Sequence, residues 1–207
     1  MKRAKIAAAM LALSWAVQAP SAAEGPAFSL EALKSGQALI TDEVKPGGKT
    51  WVTAIFWLKT EPDAVFRILR DVEHHPEFMP EVKEARIVER GPGYHVAHFR
   101  AGEGFFASEH TLKRVYDEPE RRISWSLVQG RPKDLSGYWH VQQSPDGVGS
   151  LVTYSAYIDV GVLVPDVLTR YFAKRTVPLM IDNLRKRSES GGRWQSDEYR
   201  RRSQGNR

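Results

Sequence analysis

Between Val82 and Val160 the sequence repeats one pattern six times: a run rich in β-branched and aromatic residues, then a turn. The runs are Val82–Glu89, Tyr94–Ala101, Phe105–Tyr116, Arg122–Val128, Gly137–Gln143 and Leu151–Val160. The breaks are Gly91-Pro92-Gly93, Gly102-Glu103-Gly104, Asp117-Glu118-Pro119, Gly130-Arg131-Pro132 and Pro145-Asp146-Gly147. Connections this short join neighbouring strands as hairpins, so the segment is expected to form an antiparallel sheet. A further strand, Trp51–Lys59, precedes them. Alternate residues of a strand point to opposite faces. Val52, Ala54, Phe56 and Leu58 are apolar throughout, and Ile123, Trp125 and Leu127 alternate with Arg122, Ser124 and Ser126. Val152, Tyr154, Ala156 and Ile158 form the matching set in the last strand. One face of this sheet is apolar and needs a cover.

The only segment long enough to cover it is helical. It starts near Pro165 and runs to about Arg187, with Val164, Val167, Leu168, Tyr171, Phe172, Leu179 and Leu184 as an apolar stripe. Pro178 falls inside and is expected to kink it. Two short helices are expected after the first strand. One opens at Thr60-Glu61-Pro62-Asp63, with Thr60 as N-cap and Val65, Phe66 and Leu69 on its buried face. The other lies between Pro76 and Pro80. Upstream, Phe28–Gly36 reads as a short helix and Gln37–Glu43 as a short strand. The expectation is an α+β fold: a curved antiparallel sheet of about six to seven strands wrapped on a long C-terminal helix. Residues 24–48 are read as an N-terminal extension, 49–187 as the domain, and 188–207, rich in Gly, Ser and Arg, as a disordered basic tail.

The first 23 residues read as an export signal. Lys2, Arg3 and Lys5 precede the apolar run Ile6–Val17 and a small-residue site, Ser21-Ala22-Ala23. Cleavage is expected after Ala23, with Ala19-Pro20-Ser21 as the other frame, placing the mature protein in the periplasm or outside the cell. The apolar run is shorter than the ~20 residues needed to span a bilayer. The chain has no cysteine, which excludes disulfides, cysteine-ligated metal centres and a thiolate nucleophile. The formal charge is +5, but three basic residues lie in the first five and eight lie from Arg185 onward. The folded body between them is slightly acidic, and no nucleic-acid partner is expected.

The run Asp71-Val72-Glu73-His74-His75-Pro76-Glu77-Phe78-Met79-Pro80 resembles the D-x-E-x-(aromatic)-P-x-F-x-P segment of the START-like helix-grip superfamily. The nearest branch is polyketide cyclase/dehydrase and lipid transport, which includes coenzyme Q-binding START-type proteins. Gly137-Tyr138-Trp139, Val152-Thr153-Tyr154 and Pro178-Leu179-Met180 add to the resemblance, which covers roughly residues 49–187. His75 stands where the family usually has an aromatic. The resemblance implies an apolar cavity between sheet and long helix, holding a lipid, quinone or polyketide-like molecule. By strand phase the inward candidates are Phe56, Phe106, His110, Trp125, Trp139 and Tyr154, joined by Leu168, Tyr171 and Phe172 on the helix. The same residues would also serve to pack a solid core.

His110 and Tyr154 carry polar atoms on the apolar face and need partners there. Ser108 shares the phase of His110 and is one. His110 and Tyr154 are also the groups through which a cyclase- or dehydrase-like enzyme of this fold would act as acid and base. His74-His75 are adjacent, so their side chains diverge; they read as a polar helix end rather than metal ligands. The six histidines lack ligand spacing, and there is no Gly-x-Ser-x-Gly or phosphate-cradling loop. No cofactor is expected. The expected partner is a hydrophobic small molecule or lipid, with transient membrane-surface contact through the Arg-rich tail.

Overall fold

The structure, a computed structural model, describes residues 29–46, 48–102, 107–159 and 172–205. The segment expected to act as an export signal and three expected site residues, Phe106, Leu168 and Tyr171, lie outside them. Eight antiparallel strands form one curved, unclosed sheet in the order β1-β2-β8-β7-β6-β5-β4-β3. They are β1 (Ala38–Lys45), β2 (Lys49–Leu58), β3 (Val82–Gly91), β4 (Tyr94–Ala101), β5 (Ser108–Asp117), β6 (Arg122–Gly130), β7 (Asp134–Gln143) and β8 (Ser150–Asp159). Consecutive strands from β3 to β8 pair as neighbours, as short turns require. The final strand then pairs with β2.

The eighth strand is β1, which falls in the region read as an extension. It pairs with β2 along its whole length, Ala38 opposite Phe56 and Lys45 opposite Lys49. The domain therefore begins before residue 49. A short helix, α1 (Leu30–Lys34), precedes it, capped by Ser29, whose Oγ accepts from the Ala32 amide at 3.2 Å.

Between β2 and β3 the chain crosses from beside one edge of the sheet to the opposite edge. It does so through α2 (Pro62–Arg70), a 3-10 turn (Val72–His74) and α3 (His75–Phe78). The N-cap of α2 is Glu61, not Thr60, and no side chain caps it. Pro62 forces its predecessor into an extended conformation, so the helix can start only at Pro62 itself. Asp63, in the first turn, pairs with Arg121.

The C-terminal helix departs from expectation in two ways. Residues 172–176 form a π-helical turn, and α4 (Val177–Glu189) begins after it with Pro178 in its first turn. Pro178 therefore starts this helix where its missing N–H costs nothing, instead of kinking it. The wider π turn shifts the phase, so Val177, Met180, Ile181 and Leu184 are buried while Leu179 is 46% exposed.

The tail expected to be disordered is ordered as far as Gly205. It turns at Gly191 and Gly192, both at positive φ, and forms α5 (Asp197–Gly205). What orders it is contact with α3. The Ser196 amide donates to the Glu77 carbonyl at 2.8 Å, and Arg202 donates to the Pro76 carbonyl at 3.1 Å. Buried Arg187 joins both parts, donating to Glu77 Oε2 at 2.6 Å and to the Trp194 carbonyl at 2.8 Å.

The main core lies between the concave side of β2, β6, β7 and β8 and helices α2, α3 and α4. Phe56, Leu58, Leu69, Ile123, Val152, Val177 and Leu184 are fully buried there. Among the described residues no helix is long and apolar enough to cross a membrane.

Candidate functional site

Register sets the site. Trp125 on β6 stands opposite Gly137 on β7, which stands opposite Ala156 on β8 and, one strand further, Val52 on β2. Two residues along, Ile123, Trp139, Tyr154 and Ala54 form the next concave row. Inward side chains of neighbouring strands thus meet, and three aromatics share one patch. The ring centroids of Trp139 and Tyr154 are 4.5 Å apart, those of Trp125 and Tyr154 6.0 Å, and those of Trp125 and Trp139 6.4 Å.

Gly137 makes this possible. A Cβ there would lie 2.4 Å from Cζ2 of Trp125, so the indole lies over the bare glycine backbone. Trp125 remains half-buried and packs against both the main core and a second cluster formed by Val72, Ala97, Phe99 and Leu112. Half-buried Phe172, from the π turn, packs against the main core.

The expected site residues thus divide. Trp125, Trp139 and Tyr154 come together. Phe56, with no exposed surface, is sealed in the core. His110 stands apart on β5, stacked on Phe99 with centroids 5.6 Å apart and planes 16° off parallel. Its Nδ1 is 3.0 Å from Ser108 Oγ, the partner that strand phase suggests. Burial, and secondarily the neighbouring His98, pulls its pKa down to about 4, so the ring is neutral at pH 7.

Tyr154 is buried, its ring packed against Trp125 and Trp139. Burial alone pushes its pKa well above the usual phenol value. Its hydroxyl makes no hydrogen bond with another described residue. A sheltered hydroxyl of this kind has donor and acceptor capacity to spare.

Sequence reading missed a second polar group on the concave side. His75 is buried, with Nε2 3.1 Å from the Leu69 carbonyl at the end of α2, and Arg114 Nη2 donates to that same carbonyl at 2.9 Å. His95 stands opposite Arg114, and its Nδ1 is 2.6 Å from the Tyr116 hydroxyl. Burial, then the charge of Arg114, holds His75 well below its ordinary pKa and His95 at about 4. Burial also lowers Arg114 to about 10. The available signal was strand phase: Arg114 shares the inward set of Leu112 and Tyr116, and His95 that of Ala97 and Phe99. His74 and His75 diverge as expected, but only His74 is a surface residue, paired with Asp71 at 2.8 Å. His75 takes up the buried position.

A curved, open antiparallel sheet with an apolar concave face and a C-terminal helix packed into it defines a helix-grip protein of the START-like class. The sequence matches the family model "Polyketide cyclase / dehydrase and lipid transport" over residues 58–185, and the protein belongs to that family. Among solved structures it is similar to a START superfamily protein from Mycobacterium smegmatis, at 18% identity and TM-score 0.59, covering 69% of this chain and 99% of that one. A STAR-related lipid transfer protein from Xanthomonas axonopodis (fragment 25–204) is 17% identical at TM-score 0.60, covering 73% and 92%. The Zhui aromatase/cyclase from Streptomyces is 17% identical at TM-score 0.56, covering 74% and 94%. At these identities the likeness is one of fold. No curated protein matches by sequence.

Proposed function

We propose that this protein binds and carries a hydrophobic small molecule of the lipid, quinone or polyketide-like class against the concave face, between sheet and C-terminal helix. The observation that carries this reading is the Trp125–Trp139–Tyr154 patch: large apolar surface on three neighbouring strands, carrying the single phenol hydroxyl of Tyr154. An apolar wall with few polar groups suits a ligand that is mostly hydrocarbon or ring and carries one oxygen. The family description, polyketide cyclase/dehydrase and lipid transport, supports the same class of ligand. The basic, then apolar, N-terminus with its small-residue site supports a mature carrier, Glu24–Arg207, in the periplasm or outside the cell. Arg193, Arg200 and Arg201, exposed at the C-terminal end, supply a surface for transient contact with an anionic bilayer.

The second reading is a cyclase- or dehydrase-like enzyme using the same face. Neutral His110, with Nδ1 beside Ser108, has the state of a general base. Against a paired acid and base stands the sheet itself. His110 on β5 and Tyr154 on β8 are three strand spacings apart, roughly 14 Å along the sheet, too far to serve one reacting atom.

Native mass spectrometry of protein taken from its own host without refolding tests both. The expected result is a stoichiometric apolar adduct on a chain of the mass of Glu24–Arg207, lost when Trp125 is replaced by alanine. An empty protein that also ignores fluorescent lipid probes would sink the carrier reading. Conversion of the released molecule by wild-type protein but not by a His110→Asn variant would favour the enzyme.

A further inference from the structure

On the other side of α2 from the aromatic patch, a cleft of about 370 Å³ opens between the end of α2, the 3-10 turn, the β3–β4 hairpin and the end of β5. Three guanidinium groups from two elements reach it: Arg67 and Arg70 from α2, and Arg90 from β3. Its lining includes the hydrogen-bonded pair His95 and Tyr116. Behind that pair stands Arg114, opposite His95 across the β4–β5 ladder and two residues from Tyr116 along β5.

Arg114 is only 3% exposed, forms no ion pair among the described residues, and leaves Nη1 without a hydrogen-bond partner. Its Nη2 donates to the Leu69 carbonyl. A buried guanidinium needs a counter-charge, and an uncompensated one is costly.

The acids around the cleft do not supply that charge. Asp71 is engaged by His74 at 2.8 Å, Glu73 by Arg90 at 3.2 Å, and Glu118 pairs with Arg70. These are exposed pairs, weak and readily exchanged for a better-placed anion. Arg67 forms no ion pair among the described residues. The lining itself carries three arginines against two acids, Asp71 and Glu73, and is partly walled by Val72, Ile87 and Tyr94. Guanidinium groups are suited to phosphate and carboxylate, which they bind through paired hydrogen bonds.

We propose that this cleft is a second binding site, separate from the Trp125–Trp139–Tyr154 patch, for a phosphate-type oxyanion gripped by Arg67, Arg70 and Arg90. The oxyanion is free phosphate or the headgroup of an anionic lipid. The neutral His95–Tyr116 pair forms the floor, and the charge of Arg114 reinforces the site from behind. The site does not depend on what the aromatic patch holds.

Titration calorimetry of the mature protein with inorganic phosphate at low ionic strength is the direct test, run beside co-sedimentation with vesicles containing phosphatidic acid. Saturable one-to-one phosphate binding is expected, weakened at least tenfold in Arg67→Gln and in Arg90→Gln and unchanged in Lys133→Gln, an exposed cation between β6 and β7 that does not line the cleft. Because Arg67 and Arg90 are both exposed, these variants are expected to fold as the parent does. Proton NMR provides an independent readout: bound phosphate should raise the titration midpoint of His95. Binding to vesicles but not to free phosphate, still lost in Arg67→Gln, would identify the lipid headgroup as the ligand. Absence of both, or equal loss in all three variants, would overturn the site, since equal loss marks unspecific charge attraction.

Discussion

At the residue scale the concave face depends on a missing side chain. Gly137 has an ordinary strand conformation; what requires glycine there is proximity. An alanine Cβ would lie 2.4 Å from Trp125 Cζ2 and 2.5 Å from the Ser155 carbonyl oxygen. The indole can tilt away, but the carbonyl belongs to the β7–β8 ladder and cannot move without breaking register. Gly137→Ala is therefore expected to destabilise the fold by about 1–3 kcal/mol, the usual cost of overpacking. It should also displace Trp125 from Tyr154, which near-UV circular dichroism would register. Urea denaturation measures the first effect; an unchanged midpoint together with an unchanged aromatic spectrum would show that the indole does not occupy the glycine surface. The glycine was visible in the sequence as part of Gly137-Tyr138-Trp139, but its reason was not, because it depends on a residue of the neighbouring strand.

At the scale of elements, what proved legible was periodic and local. Val52, Ala54, Phe56 and Leu58 are all buried, as an alternating apolar set in a strand requires. Trp139 and Tyr154 meet because hairpins of predictable length bring β7 and β8 into register. The C-terminal segment was illegible for the opposite reason. Its composition favours disorder, and its order comes from Glu77 and Pro76, more than a hundred residues away in sequence. Periodicity cannot detect a partner at that separation. In the same way, the phase of α4 could not be read through the π turn that shifts it. If α5 and Trp194 strap α3 to α4, a chain ending at Ser190 loses the Arg187–Trp194 carbonyl bond and four further contacts. These are the half-buried Trp194 indole, the Ser196–Glu77 backbone bond, the Arg202–Pro76 bond and the Lys83–Glu198 ion pair. Partial indole burial and three hydrogen bonds together stabilise the parent by about 2–4 kcal/mol. Urea unfolding of the shortened chain should show that loss. Hydrogen exchange should show it concentrated in residues 75–80. A midpoint equal to that of the parent would mean the segment rests on α3 without holding it.

At the scale of the whole molecule, the buried imidazoles make stability depend on pH in a defined direction. His75 and His95 sit among cations. Burial is the larger cause of their lowered pKa values, and Arg114 is the next, with Arg90 and Arg70 also acting on His95 and Arg187 on His75. The Tyr116 hydroxyl faces His95 and the Phe78 ring faces His75; neither offers a negative charge. In the unfolded chain both imidazoles take up a proton near pH 6.5, whereas in the folded chain His95 does so only near 4 and His75 lower than its ordinary value. The unfolded state therefore binds more protons as pH falls below about 6.5, and stability must fall with it. His95 contributes a slope of up to about 1.4 kcal/mol per pH unit between roughly 6.5 and 4, and His75 acts in the same direction as pH falls below about 6.5. His74, paired with Asp71, has its pKa raised and acts in the opposite sense, but it is an exposed group and its pair is screened. Carboxylates held low by exposed partners, Asp146 at about 2 among them, lose their contribution only below the histidine window. Urea midpoints at pH 7, 6, 5 and 4.5 should decline steadily for the parent. In His95→Gln the midpoint should be lower at pH 7, because the ring contact with Tyr116 is gone, and should decline less steeply. The two curves should therefore converge on acidification. Parallel curves would show that His95 is protonated equally in both states and that its burial among arginines has no effect on the acid limb of stability.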